Sequence, residues 1–198
     1  MQLTRCFIAI DYPADVLTRV GAIIRNFSQV FPRGSIRWVP AGNLHLTLKF
    51  LGEVTSDQIL EIREILTEIA QRTAPFPLKV SGSGVFPNPY QPKTLWIGTS
   101  PTQPLLSLAK EIDRQVSGVG ILMETRPFSP HLTIGRVQSG LPPSTTGLIG
   151  STYSRSVMGD LGEFSAENIT LYKSELRSTG AVYSVVERYP LHAGKPAK

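Results

Sequence analysis

Two copies of one tetrapeptide, His-Leu-Thr-(Leu/Ile), stand 86 residues apart in this 198-residue chain, at His45 and at His131. Each sits in a short apolar-polar alternation that reads as a β-strand, 44–52 for the first copy and 131–137 for the second. Strand side chains alternate faces, so His45 and Thr47 point one way while Leu46 and Leu48 point the other. The same parity sets His131 and Thr133 against Leu132 and Ile134. Each strand then buries an apolar pair in its own lobe and presents an imidazole and a hydroxyl on the opposite face. If the lobes meet along those faces, two His-Thr pairs converge on one cleft. Chance is a poor explanation. At ordinary residue frequencies a given histidine begins such a tetrapeptide roughly once in a thousand, so two of the three histidines doing so is on the order of 10⁻⁶.

The flanking sequence supplies the scaffold. Strands are expected at 4–11, 36–39, 76–86, 94–99, 166–176 and 181–190, beside the two motif strands. Helices are expected from Pro13 to about Phe31, from Thr55 to about Arg72 and from Pro104 to Val116, each with an apolar stripe at helical spacing. Residues 139–151, rich in Gly, Pro, Ser and Thr, read as a mobile loop or a short helix, and 192–198 as a frayed tail. Several successive strands leave no room for a crossover helix. The fold expected is therefore α+β: a single bilobal domain over 1–198, two similar lobes with pseudo-twofold symmetry, antiparallel or mixed sheets lining a central cleft, helices outside.

Two imidazoles across a small cleft suit general acid-base chemistry. With an unperturbed pKa of about 6.5, one can be neutral while the other carries a proton. Threonine hydroxyls beside them can donate to the oxygens of an anion lying between, such as a phosphoryl group. Arg136, five residues after His131, falls on the wrong face of a regular strand, but a bend near Gly135 would bring it to the cleft mouth. Spacing alone leaves phosphate binding and a solvated charge equally open for it, and the same holds for Lys49, on the His45 face by parity. Phe7, Trp38, Phe50 and Tyr90 are aromatic candidates for stacking on a base, with core packing the expected fate of Phe7 and Phe50. His192 has no such context.

The same sequence excludes several classes. One cysteine, Cys6, allows neither an internal disulfide nor a multi-cysteine metal cluster, and its apolar run Cys6 to Ile10 predicts a buried, inert thiol. No metal-ligand spacing, Walker loop, serine-nucleophile elbow or dinucleotide fingerprint is present, so no metal and no cofactor is expected. No apolar run is long enough to span a membrane, and a secretory leader is not evident, so a cytoplasmic, monomeric protein is expected. The net charge of +5 permits a polyanionic partner such as nucleic acid without naming one.

The chain resembles the two-histidine phosphoesterase superfamily, whose signature is a repeated His-x-(Thr/Ser)-x. Within it the likeness is to the RNA 2',3'-cyclic phosphodiesterase group, also called 2'-5' RNA ligase-like or LigT-like. Beyond the tetrapeptides it rests on Arg5-Cys6-Phe7-Ile8-Ala9-Ile10-Asp11, on the Lys49-Phe50-Leu51-Gly52 ending of the first motif strand, on Pro127 to Arg136, and on Leu171 to Leu176. The resemblance implies metal-free hydrolysis of RNA 2',3'-cyclic phosphodiester ends to a 2'-phosphomonoester. It implies His45 and His131 as catalytic residues, with His45 assigned as acid and His131 as base by analogy only, and Thr47, Thr133 and Arg136 on the substrate phosphate. Reversible 2'-5' RNA ligation, or RNA-end binding without catalysis, are the alternatives.

Overall fold

The computed structural model describes residues 3–156, 158–177 and 180–192. Among the described residues nine strands and four α-helices follow one another as β1 Thr4–Asp11, α1 Ala14–Val30, β2 Ile36–Trp38, β3 His45–Val54, α2 Ser56–Arg72, β4 Phe76–Phe86, β5 Thr94–Thr99, α3 Gln103–Ser117, β6 His131–Val137, α4 Pro143–Arg155, β7 Asp160–Ala166, β8 Asn168–Arg177 and β9 Gly180–Pro190. All strand pairs are antiparallel. No parallel pair of a mixed sheet occurs among the described residues.

Local signals set the boundaries. Helix α2 starts at a capping box in which the Thr55 hydroxyl accepts from Gln58 N and the Gln58 side chain accepts from Thr55 N, satisfying two otherwise orphaned donors. Proline opens α3 and α4, where its missing N–H costs nothing. The 139–151 segment contributes α4, which begins only after Pro142 and runs to Arg155. Strand β7 has no counterpart in the sequence reading: Asp160-Leu-Gly-Glu-Phe-Ser-Ala lies at a sheet edge, half solvated and interrupted by Gly162, so its periodicity is weak. The tail expected at 192–198 lies, from residue 193 on, outside the described residues. His192 N donates to Ala70 O.

The sheet order is β7-β4-β5-β6-β3-β1-β8-β9, with β2 alongside β6. It reads as a palindrome about the β6–β3 junction. Strand β6 matches β3, β5 matches β1, β4 matches β8 and β7 matches β9. The halves of the chain do not coincide with the halves of the sheet. With one repeat beginning at β1 and the other at β5, β4 of the first pairs with β5 and β7 of the second, while β8 of the second pairs with β1 of the first. Helices cross over as well: α1 packs on β7 and, through Phe27, on Tyr153 of α4 (5.0 Å between rings), and α3 packs on β3 and α2. One continuous core results, joining Ile8, Leu46 and Leu132 of the sheet to Val20, Ile62, Leu105 and Ile149 of the four helices. The other face of the β6–β3 junction is left for the site. No described helix is long and apolar enough to cross a membrane.

Candidate active site

Strands β3 and β6 pair through Leu46 and Leu132, both fully buried on the helix-packed face. Antiparallel geometry continues that register to set His45 opposite Thr133 and Thr47 opposite His131. All four are half-buried while Leu46, Leu48, Leu132 and Ile134 are buried. The two motifs thus meet across the local twofold, each histidine beside the other motif's threonine.

Both imidazoles are held the same way. His45 Nδ1–H donates to the carbonyl of Asn43 (2.8 Å), and His131 Nδ1–H donates to the carbonyl of Ser129 (2.7 Å). A carbonyl can only accept, so each neutral ring carries its proton on Nδ1 and keeps the Nε2 lone pair free. Aromatic walls fix the ring planes. Phe7 stacks on His45 at 4.6 Å and on Tyr172 at 5.0 Å, and Tyr183 meets His45 edge-on at 5.3 Å. Phe86 meets His131 edge-on at 5.0 Å, with Trp96 at 6.4 Å. Burial pushes the His45 pKa down to about 4 and lowers that of His131 as well. The backbone hydrogen bonds oppose that shift, and the positive charge of Arg136 adds to it at both rings.

The two sides differ in one charged neighbour. Asp11 ends β1 directly opposite His45 and favours its protonated form, whereas Gly98 is opposite His131. The Asp11 carboxylate accepts from Tyr172 OH (2.6 Å) and Thr170 Oγ1 (3.0 Å). Asp11, Tyr172, Tyr183, Phe86 and Trp96 escaped the sequence reading because they come from other strands. The signal for Asp11 and Tyr172 was their place in two of the segments that carry the family likeness, Arg5–Asp11 and Leu171–Leu176, which parity by itself does not connect to His45.

Two β-bulges decide which charge reaches the cleft. Along β6 the pairing steps from Trp96↔Thr133 to Leu95↔Gly135, leaving Ile134 as an extra residue. The alternation slips by one and Arg136, paired with Thr94, turns to the histidine face. Along β3 the pairing steps from Ala9↔Thr47 to Ile8↔Lys49, leaving Leu48 extra. That slip carries Lys49 off the His45 face, contrary to simple parity. Its side chain is buried, with Nζ 2.6 Å from Asp113 and donating to the carbonyl of Leu122 at 2.6 Å. Phe50 turns outward instead. It is 57% exposed, where core packing was expected, and its ring lies 6.3 Å from Phe7. Phe7 is buried as expected. Trp38 stacks on Phe31 at 6.5 Å, toward the core, and Tyr90 projects into solvent.

A family model for LigT like phosphoesterases matches the chain twice, over residues 10–96 and again over 97–183. The chain belongs to the LigT-like phosphoesterase family. Among LigT-like relatives, the RNA 2',3'-cyclic phosphodiesterase of Aquifex aeolicus is 36% identical over 166 residues, covering 78% of this chain and 81% of its own. That of Methanocaldococcus jannaschii is 34% identical over 185 residues, covering 93% and 99%. Escherichia coli LigT complexed with 3'-AMP superposes with a TM-score of 0.77 at 27% identity, covering 96% of this chain and 99% of that one. A Thermus thermophilus structure gives 0.79 at 28% identity with the same coverage.

The two motif copies, one in each matched span, set a register for the repeat, and that register brings out the asymmetry of the site. The fifth residue after the histidine is Phe50 in one repeat and Arg136 in the other, and the preceding bulge turns both to the cleft. Among the described residues no group of three or more His, Cys, Asp or Glu is placed to hold a metal ion. Cys6 is buried against the core, and desolvation raises its pKa to about 11, which leaves it a thiol.

Proposed function

We propose that this LigT-like protein hydrolyses the 2',3'-cyclic phosphodiester end of RNA to a 2'-phosphomonoester by two-histidine acid-base catalysis. The convergence of His45 and His131 across the β3–β6 junction, each with Nδ1 engaged and Nε2 free, carries this proposal, and the names of the relatives support the substrate. In the proposed step a water oxygen attacks the cyclic phosphorus in line with the bond to O3'. His131 Nε2 takes the proton from water and His45 Nε2 gives one to O3' as the P–O3' bond breaks. Thr47 and Thr133 donate to the non-bridging oxygens, where negative charge gathers, and the Arg136 guanidinium neutralises part of it.

The order of acid and base rests on one feature. Asp11 gives His45 a carboxylate neighbour that favours its protonated form, and His131 has none opposite it. Burial favours neutral His45 in the free protein, and the anionic substrate, whose charge raises the pKa of both rings, favours its protonation. No metal or cofactor enters the scheme. All its groups come from one chain, consistent with a monomer, and a buried reduced cysteine suits the cytoplasm.

The test is turnover and binding of an oligonucleotide with a 2',3'-cyclic phosphate end, by the wild type and by His45→Ala and His131→Ala. Turnover by the wild type and its loss in both variants is expected. Tight binding without turnover would mean an RNA-end binder. Joining or splitting of 2'-5' linked halves, with no hydrolysis of the cyclic end, would mean a ligase.

A further inference from the structure

Arg136 does not stand alone on the cleft rim. Strand β2 lies along β6 with Ile36↔Val137, Arg37↔Arg136 and Trp38↔Gly135 in register. Cross-strand partners point to the same face, with their Cβ atoms about 5 Å apart. Ile36 is buried and Trp38 packs on Phe31 toward the core, so Arg37 faces the other way, with Arg136, and both are exposed. Gly135 makes this pairing close. A Cβ there would come within 2.8 Å of Ile36 Cγ2 and 3.1 Å of Trp38 Cε3.

Two guanidinium groups directly opposite each other in a sheet repel, and the arrangement is destabilising unless an anion lies between or beside them. Among the described residues no carboxylate forms an ion pair with either one. Thr94 flanks Arg136 on the other edge, making a row Thr94–Arg136–Arg37 across three strands. That row lies one same-face step along β6, roughly 7 Å, from the row of Thr133 and His45, and two steps from that of His131. Arg136 shares its strand with His131, and its charge is felt at both histidines, which makes it the arginine facing the reacting centre.

We propose that Arg37 is a second phosphate-binding residue, holding the diester phosphate on the 5' side of the terminal nucleotide while Arg136 faces the cyclic phosphate. It rests on the cleft taking an RNA end and names the part of the RNA that is held beyond that end. A single arginine would serve a cyclic mononucleotide. The paired arginines give the site a reason to prefer a chain. An arginine fork fits a phosphate bidentately, so lysine at position 37 keeps the charge and loses part of the geometry.

The test compares a dinucleotide with one internal diester and a 2',3'-cyclic end with a nucleoside 2',3'-cyclic phosphate that lacks the diester. Between about 50 and 200 mM salt, kcat/KM is measured with active protein and Kd in a His45→Ala background, where the ligands are not turned over. The wild type should prefer the dinucleotide, and Arg37→Gln should reduce that preference about five- to tenfold. The salt slope of log Kd for the dinucleotide should fall by about 0.7, the value of one single-strand phosphate contact. Arg37→Lys should keep the slope and lose part of the preference. A wild type without preference, or an Arg37→Gln variant affecting both ligands in equal proportion, overturns the proposal. Because Kd is read without turnover, a protein that binds the dinucleotide through Arg37 yet hydrolyses neither ligand would overturn the catalytic function and leave this site standing.

Discussion

Each histidine is fixed by the same short device, a ring Nδ1–H donated to the carbonyl two residues earlier in its own segment. That anchor is one local hydrogen bond of a half-buried side chain, so its loss in His45→Ala and His131→Ala should leave the fold intact while kcat falls by at least about 10² to 10⁴, measured on a cyclic-phosphate oligonucleotide with circular dichroism as the folding control. Burial lowers both pKa values, and the sign of the pH dependence follows. The kcat/KM profile should be a bell lying on the acid side of pH 6.5, its two limbs belonging to the pair, whereas the kcat profile should lie at higher pH because the bound anion favours imidazolium. Asp11→Asn removes the carboxylate that favours protonated His45, so the acid limb should move to still lower pH and activity near neutrality should drop. An unmoved limb would deny Asp11 that role. The convergence of His45, Thr47, His131 and Thr133 was legible because alternation in a strand is a local rule. Phe7, Tyr172 and Asp11 were not, since their meeting with His45 depends on which strands become neighbours.

The bulges in β3 and β6 do what strand periodicity forbids. One extra residue at Leu48 turns Lys49 inward and Phe50 outward, and one at Ile134 turns Arg136 outward. A pattern read at period two sees neither slip, which is why it placed Lys49 in the cleft and Phe50 in the core. Gly135→Ala should disturb the second bulge, because its new methyl meets Ile36 and Trp38 at less than van der Waals distance. The variant should raise KM more than it lowers kcat, since it displaces Arg136 and leaves the histidines in place. Buried Lys49 holds the scaffold together instead, tying β3 to α3 through Asp113 and to the segment before β6 through the Leu122 carbonyl. Asp113→Ala leaves that buried ammonium with the Leu122 carbonyl and the more distant Glu124 carboxylate at 3.8 Å, and should cost on the order of 3 kcal/mol in denaturant unfolding, whereas Lys49→Met with Asp113→Leu, which removes both charges, should cost clearly less.

At the scale of the whole molecule, the protein is a sequence repeat whose halves have exchanged strands. Strand β4 completes the sheet of β5 and β6, β8 completes that of β1 and β3, and the helices cross in the same sense. We propose that the two lobes are therefore one cooperative unit. Denaturant unfolding should show a single transition by fluorescence and circular dichroism alike, and residues 1–87 alone should not fold, since they would expose the β4 surface that β5 and β7 cover. The repeat was legible from two tetrapeptides; the exchange was not, because strand order is a property of long-range pairing. Interlocking also has a functional consequence, since it fixes the β3–β6 junction, and with it the spacing of the two imidazoles, from both sides. The most direct test of that centre is phosphorus NMR of an oligonucleotide with a 2',3'-cyclic phosphate end, incubated with the protein and excess chelator. Conversion of the cyclic signal to that of a 2'-phosphomonoester, lost in both histidine variants, is the predicted result; a persistent cyclic signal, or a 3'-phosphomonoester product, would contradict it.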